Sequence, residues 1–456
     1  MESRICLLNA GPTGTETLKN LVLPGCGYVC VVDGGTVNEA DCRNNFFVEA
    51  SRIGSSRAQV ALEFLLEMNP DVAGDAVTED IEVVLARKPE FLKSFTLVIA
   101  TQMDSAALAP IAACLWTAGI PLISARSYGL IGQVRVAVRE HTIVESKPDS
   151  STEDLRIARP WPALRAYTDG IDLDGADDRV HAHVPYVALL LKALNEWRSE
   201  VRGTRQVAGA EARQLEQPRT AAEKAAFKSV LWRLSRASDE VNFREAAEKA
   251  YVAYESTSVS PDTDVLLRDA AADALTPASP PFWFVVRALR DFRDSDHSLP
   301  LSGVLPDMTA TTELYVSLQR VFSDKAAMDR AVVEARVAQL LSNVGAPASH
   351  VPQTLIALMC RNARHMAVLR TRSLEVEHSL DAPLPDSLVD ELQTAQSDVM
   401  SSSTVAAGPT QAPVAWYFAL RGADAFKRRH GRYPGQYTLN APTVVAATSD
   451  ESVSWE

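Results

Sequence analysis

Near its start the chain reads Asn9-Ala10-Gly11-Pro12-Thr13-Gly14, set between two apolar runs, RICLLN (4–9) and YVCVVD (28–33). A glycine turn after a strand, with an acid about 20 residues on, is what a dinucleotide site needs. Bare backbone lets N–H groups approach a phosphate at a helix N-terminus, and the acid holds a ribose hydroxyl. Gly11 and Gly14 match the second and third glycines of a GxGxxG turn, and Asp33 stands where the acid would be. Asn9 replaces the first glycine, and Pro12 removes one N–H. Two readings stand on residue types alone: a nucleotide site, and a tight βα turn that keeps its glycines for packing. The two departures weigh towards the second.

Other reactive residues are weaker candidates. The six cysteines (Cys6, Cys26, Cys30, Cys42, Cys114, Cys360) include no CxxC pair. Cys26 and Cys30 form a lone CxxxC, so no structural zinc is expected. Cys114 and Cys360 lie in apolar helical strings and read as core residues rather than nucleophiles. His181 and His183 lack a third ligand at metal spacing and read as a surface loop. Phe282, Trp283 and Phe284 read as helical core, and Phe46 and Phe47 as packing residues. Lys427-Arg428-Arg429-His430 ends a helical string, where cations favour the helix dipole. Nuclear targeting or a partner contact is the alternative for that run.

The elements that would position the turn follow from periodicity. Strands are expected at 4–9, 28–33, 96–101, 121–125 and 133–139, with helices after the glycine turn, at 56–69 and at 105–119. Pro110 is expected to disturb the first turns of the last of these. Alternating strands and helices predict a Rossmann-like α/β domain with a mostly parallel sheet. Beyond a polar connector near 150, Val187, Leu190, Leu191, Leu194 and Trp197 keep helical spacing, and helical strings continue to about 395. The expected division is an α/β domain over 1–165 and a mainly α-helical domain over 166–435. Mobile segments are expected near 202–220 and 396–413, and a disordered tail over 436–456.

Bulk properties exclude several classes. The chain has 456 residues, 46% of them hydrophobic and 23% charged, as in globular proteins of more than one domain. A net charge of -13 argues against a nucleic-acid partner. No run of about 20 apolar residues predicts a membrane span. Dispersed cysteines fit a reducing compartment, so a cytoplasmic home is expected, with nuclear access left open.

A longer string carries more. LLNAGPTGTETLKNLVLPGCGYVCVVDGGTV, followed by Ile53-Gly54-Ser55-Ser56-Arg57-Ala58, resembles the adenylation domain of ubiquitin-like activating enzymes. NNFFVEASRIG (44–54), ARSYGLIGQVRV (125–136), ESKPDSSTEDLR (145–156), PPFWFVVRALRDF (280–292), LPDMTATTELYVSLQRVF (305–322) and GRYPG (431–435) narrow it. Together, over about residues 4–435, these strings resemble the catalytically inactive, regulatory subunit of the heterodimeric Rub/Nedd activating enzyme, the amyloid precursor protein-binding protein family.

The resemblance implies a pseudo-adenylation domain with no catalytic, cofactor-binding or metal residues at work. Gly11, Gly14, Asp33 and Arg57 would be remnants of the nucleotide site. Asn9 takes the place of its first glycine, Gly35 of an Asp, Asn44 of a phosphate-binding Arg, Arg57 of a phosphate Lys and Gln102 of a magnesium-binding Asp. ATP, magnesium and zinc would belong to a homologous catalytic subunit. The ubiquitin-like modifier and its conjugating enzyme would be reached through the complex. Compared with the family, the chain is expected to be shortened at both ends. The regulatory subunit for the SUMO-type modifier and a dinucleotide oxidoreductase are the alternatives. The first lacks so large a helical insert; the second needs an intact turn and a hydride-transfer site.

Overall fold

A computed structural model describes residues 3–128, 131–146, 153–205, 217–254, 259–378, 386–401 and 413–434. The chain forms two compact units, one of residues 1–141 with 369–456, the other of residues 142–368.

The first unit opens with β1 (Arg4–Leu8), α1 (Pro12–Val22), β2 (Tyr28–Val32) and α2 (Arg57–Met68). Next come β3 (Ala73–Val77), α3 (Ile81–Arg87), β4 (Leu97–Thr101), α4 (Ser105–Ala118), β5 (Leu122–Tyr128) and β6 (Ile131–Ala137). The sheet runs β3-β2-β1-β4-β5-β6, parallel except for the antiparallel β5–β6 pair. This is the doubly wound order of Rossmann folds. Strand alternation sends side chains to opposite faces. Ile5, Leu7, Val29 and Val31 pack with Leu18 and Val22 of α1 and Ala61 and Leu65 of α2. Cys6, Leu8, Cys30 and Val32 pack with Val84 of α3 and Ile111 and Leu115 of α4. Each of the Val, Leu and Ile side chains contributes roughly 1.5–3 kcal/mol on burial. Pro110 lies inside α4, which runs unbroken from a cap at Asp104 that accepts the Ala106 and Ala107 N–H groups. The expected disturbance there does not occur.

The second unit is helical. Its main helices are α5 (Pro162–Asp169), α6 (Tyr186–Arg205), α7 (Ala221–Arg233), α8 (Val241–Glu248), α9 (Pro281–Asp296), α10 (Thr312–Val344) and α11 (Gln353–Arg361). One core gathers Val187, Leu190, Leu194 and Trp197 of α6 against Phe227, Phe243 and Phe322. A second gathers Phe282, Trp283 and Phe284 of α9 against Val333, Val337 and Leu341 of α10. Helix α10 therefore joins both cores. Between them it buries Asp329, which accepts the Leu301 N–H at 3.0 Å and pairs with Lys325.

The chain then returns to the first unit through α12 (Leu374–His378), α13 (Asp386–Ser401) and α14 (Pro413–His430). Asp424 of α14 forms a two-pronged ion pair with Arg126 of β5, both side chains being under 10% exposed. Tyr433 donates no strand but caps the contact. Its hydroxyl lies 3.0 Å from Arg126 Nη2, and its ring packs edge-on against Tyr128 at 5.3 Å. Two of the strings that carried the resemblance, around Tyr128 and around Tyr433, thus meet in space.

The expected division at 165/166 needs correction. Leu155, Ile157 and Leu164 belong to the helical core, so the α/β unit's first segment ends near 141. The described residues of 369–434, expected in the helical domain, are tied to the sheet by the charge pairs Arg135–Glu377 and Arg126–Asp424, which leave no local sequence signal. The expected mobile segments are partly helical. Residues 202–205 lie in α6 and 396–401 in α13, while 206–216, 402–412 and the tail over 436–456 lie outside the described residues.

The Arg126–Asp424 pair yields a stability prediction. Asp424→Ala should cost about 3–5 kcal/mol, because an arginine is left buried without its carboxylate. Denaturant titration of the single variant and of an Arg126→Met/Asp424→Leu double variant checks this. The double variant should recover most of the loss.

Candidate functional site

The candidate nucleotide site lies at the carboxyl ends of β1, β2 and β4, where doubly wound folds bind ligands. The turn after β1 begins at Asn9 in the left-handed region, φ 70°. A glycine adopts that conformation freely, and asparagine is among the few other residues that tolerate it. Asn9 is tied there by its N–H to Val32 O at 3.0 Å and by its side-chain amide to Thr101 O at 2.7 Å. Gly14 is required by space, since a Cβ would come within 2.4 Å of Asn9 O and 2.8 Å of Thr101 Oγ1. Gly11 faces open space. One glycine therefore serves packing.

The Asp33 carboxylate is engaged within the chain. Its Oδ2 accepts the Ala10 N–H at 2.7 Å and Arg57 Nε at 2.8 Å. Its Oδ1 accepts the Gly35 N–H at 2.7 Å and Arg57 Nη2 at 3.1 Å. A carboxylate offers about four acceptor directions, and here all four are used. Arg57 spends a third N–H on Asp41 at 3.1 Å. Burial works against the arginine's charge, yet the two carboxylates hold its pKa above the ordinary value. Gly35 makes the arrangement possible. A Cβ there would sit 3.0 Å from both Arg57 Nη2 and Asp33 Oδ1. Two of the family replacements, Gly35 and Arg57, are thus one physical feature, a guanidinium in the space where a side chain at 35 would project.

The remaining positions are likewise engaged. Gln102, also left-handed at φ 54°, takes the Ser127 N–H on Oε1 at 2.8 Å and gives Nε2 to Ser127 O at 3.1 Å. Both ends of its amide are used, and it has no anionic oxygen for a hard cation. Asn44 is exposed, while Arg43 reaches outward to Glu39 at 3.8 Å. Asn45 does the structural work there, donating to Ala10 O and accepting from Thr15 and Phe47. These residues do not fit an ATP–magnesium group.

The other candidates scatter. Cys360 is core, and burial pushes its thiol up to about 12, far from a thiolate at neutral pH. Cys114, expected in the core, is half-buried. Cys30 lies in β2 opposite Cys6 of β1, Cys26 precedes that strand, and no group of three His, Cys, Asp or Glu with metal geometry occurs among the described residues. His181 corrects an expectation, being 1% exposed rather than on a surface loop. Its Nδ1 lies 2.6 Å from Glu240 Oε1 and its ring stacks on Phe243. The partners are 59 and 62 positions away in sequence, which local reading does not reach. His183 is exposed, as expected of a loop. Phe47 is fully buried, whereas Phe46 stands 74% exposed against its edge. Lys427 in the last turn of α14 lies 3.4 Å from Asp104 and over the Tyr433 ring.

Arg57→Ala should destabilise the fold by about 2–3 kcal/mol, because Asp33 keeps only two backbone donors in a buried setting. Arg57→Lys should recover less than half, since an ammonium cannot fill two carboxylate oxygens and Asp41 together. Shifts in the urea midpoint at constant m-value check both.

Residues 1–178 match the ThiF family. The NEDD8-activating enzyme E1 regulatory subunit of Xenopus laevis is 37% identical over 443 residues, covering 95% of this chain and 78% of that protein. The NEDD8-activating enzyme E1 regulatory subunit AXR1 of Arabidopsis thaliana is 36% identical, with 96% and 76% covered. The Nedd8-activating enzyme E1 regulatory subunit of Drosophila melanogaster is 35% identical, with 95% and 76% covered. Similarity at this level runs through both units, including the helical one that the ThiF match largely omits, and the chain therefore belongs to the family of NEDD8-activating enzyme E1 regulatory subunits.

Proposed function

We propose that this chain is the regulatory subunit of a heterodimeric activating enzyme for NEDD8 and performs no adenylation itself. The observation that carries this reading is the Asp33 carboxylate, whose acceptor positions are filled by Ala10, Gly35 and Arg57. A ribose hydroxyl would have to displace a charge-assisted bond to bind there. The same saturation counts against a dinucleotide oxidoreductase, and the named relatives count against a SUMO-type subunit.

In this reading a homologous catalytic subunit brings ATP, magnesium, zinc and the thioester cysteine. The joint reaction joins the modifier's C-terminal glycine to AMP with loss of pyrophosphate. The partner's thiolate then displaces AMP to give the thioester, and the modifier passes to a conjugating enzyme. This chain's residues hold a fixed surface for that partner. Phe46 supports such a role: an exposed aromatic ring held edge-on by a buried neighbour is pre-ordered for a pocket on another chain. A cytoplasmic location, with nuclear access open, accompanies the proposal and is supported by the dispersed cysteines.

The test combines this chain, the catalytic subunit, NEDD8 and magnesium-ATP. Thioester should form only in the full mixture, and calorimetric titration of this chain alone with magnesium-ATP should show no heat of binding. Thioester formed by this chain alone, or tight ATP binding, would overturn the reading. Phe46→Ala should weaken association with the catalytic subunit by roughly 1–3 kcal/mol while leaving the melting temperature of the isolated chain unchanged.

A further inference from the structure

The helical unit holds a concave site of its own. A cleft of about 590 Å³ opens between residues 158–160, α5 and α6. That volume falls within the range of about 300–1,000 Å³ usual for ligand sites. Such sites are mostly apolar. This one is lined by Arg159, Arg165, Arg198, Asn195, Ser199 and Asp169, so its ligand must be polar.

Charge decides the sign of that ligand. Arg159 and Arg165 face one aspartate, Asp169, in a chain whose net charge is -13. Elsewhere in the same unit arginines are neutralised, as in Arg233 with Glu196 and Glu200, Arg236 with Asp178 and Arg290 with Asp273. Arg159 and Arg165 form no ion pair among the described residues, and neither does Asp169, one turn beyond Arg165. Two of the guanidinium groups are steered by backbone. Arg165 Nε donates to Pro160 O and Arg198 Nη2 to Ala158 O, each at 3.0 Å. In Arg165 the carbonyl takes Nε and leaves the outer Nη groups of a planar fork, which suit a carboxylate.

Size and shape narrow the class further. The cleft is far larger than one inorganic anion. Asn195 and Ser199 stand one turn apart on α6, and the Asn195 amide can both donate to and accept from a peptide backbone. We propose that this cleft binds an acidic peptide segment of another protein, with its Asp or Glu carboxylates on Arg159 and Arg165 and its backbone along Asn195. The net charge of -13 disfavours such a ligand over much of the remaining surface.

The probe is a short fluorescein-labelled oligoglutamate peptide, titrated with the full chain and read by fluorescence anisotropy at low and physiological salt. Saturable binding that weakens with salt is expected. Arg165→Glu should reduce affinity about tenfold, and Arg159→Glu/Arg165→Glu further, since one charge-assisted pair is worth on the order of a factor of ten. Arg87→Glu, an exposed reversal in the other unit, should leave affinity unchanged, and circular dichroism should show all variants folded. Unchanged affinity in the double variant would overturn the proposal. So would displacement of the peptide by inorganic phosphate as completely as by unlabelled peptide at equal charge, which would mark a simple anion site.

Discussion

Four donors converge on the Asp33 carboxylate, and they come from three different pieces of chain. Ala10 belongs to the turn after β1, Gly35 to the stretch after β2, and Arg57 to the first turn of α2. To satisfy them together the three pieces must adopt one mutual geometry. Burial makes this binding on the fold, because a half-satisfied carboxylate at 4% exposure would cost several kcal/mol. The crevice of an α/β sheet is ordinarily where a protein stores unsatisfied groups for a ligand. Here the same groups are satisfied within the chain, and they join three segments to one another.

Much of the first unit was legible in the sequence, for a physical reason. Strands β1, β2, β4 and β5 are buried on both faces and read as short apolar runs, and the helices between them keep a 3.6-residue repeat. Strand β3 was not legible: AGDAV holds a glycine and an aspartate and lies at the sheet edge, so its apolar signal is weak. The site was half legible. Residue types disclosed the departure at Asn9, and the family resemblance implied those at Gly35, Asn44, Arg57 and Gln102. They did not disclose that Arg57 turns onto Asp33. The one available signal was the pairing of an arginine at 57 with a glycine at 35, a loss of volume opposite a gain, and it is visible as compensation only once the two are known to be neighbours.

The helical unit shows the same division between local and distant information. The apolar spacing of α6 sufficed to place Val187 to Trp197 inside. The burial of His181 depended on Glu240 and Phe243, and that of Asp329 on Leu301 and Lys325. In both cases a polar residue enters the core because a distant partner satisfies it, and such partnerships fix register between helices that apolar contacts alone would let slide. The long α10 then carries that register from one core to the other.

The sheet unit is interrupted in sequence by the whole of the helical unit, and Arg126 meets Asp424 only across that interruption. On the ribosome, at about 5–20 residues per second, β5 is made well before α14 exists. For that interval the guanidinium of Arg126 has no counter-charge from its own chain, and the surface that α14 later covers stays open. The α/β part thus cannot mature as it is synthesised, from front to back. It waits, without α14, while the helical unit emerges, so that the order of synthesis and the order of completion run differently along the same chain.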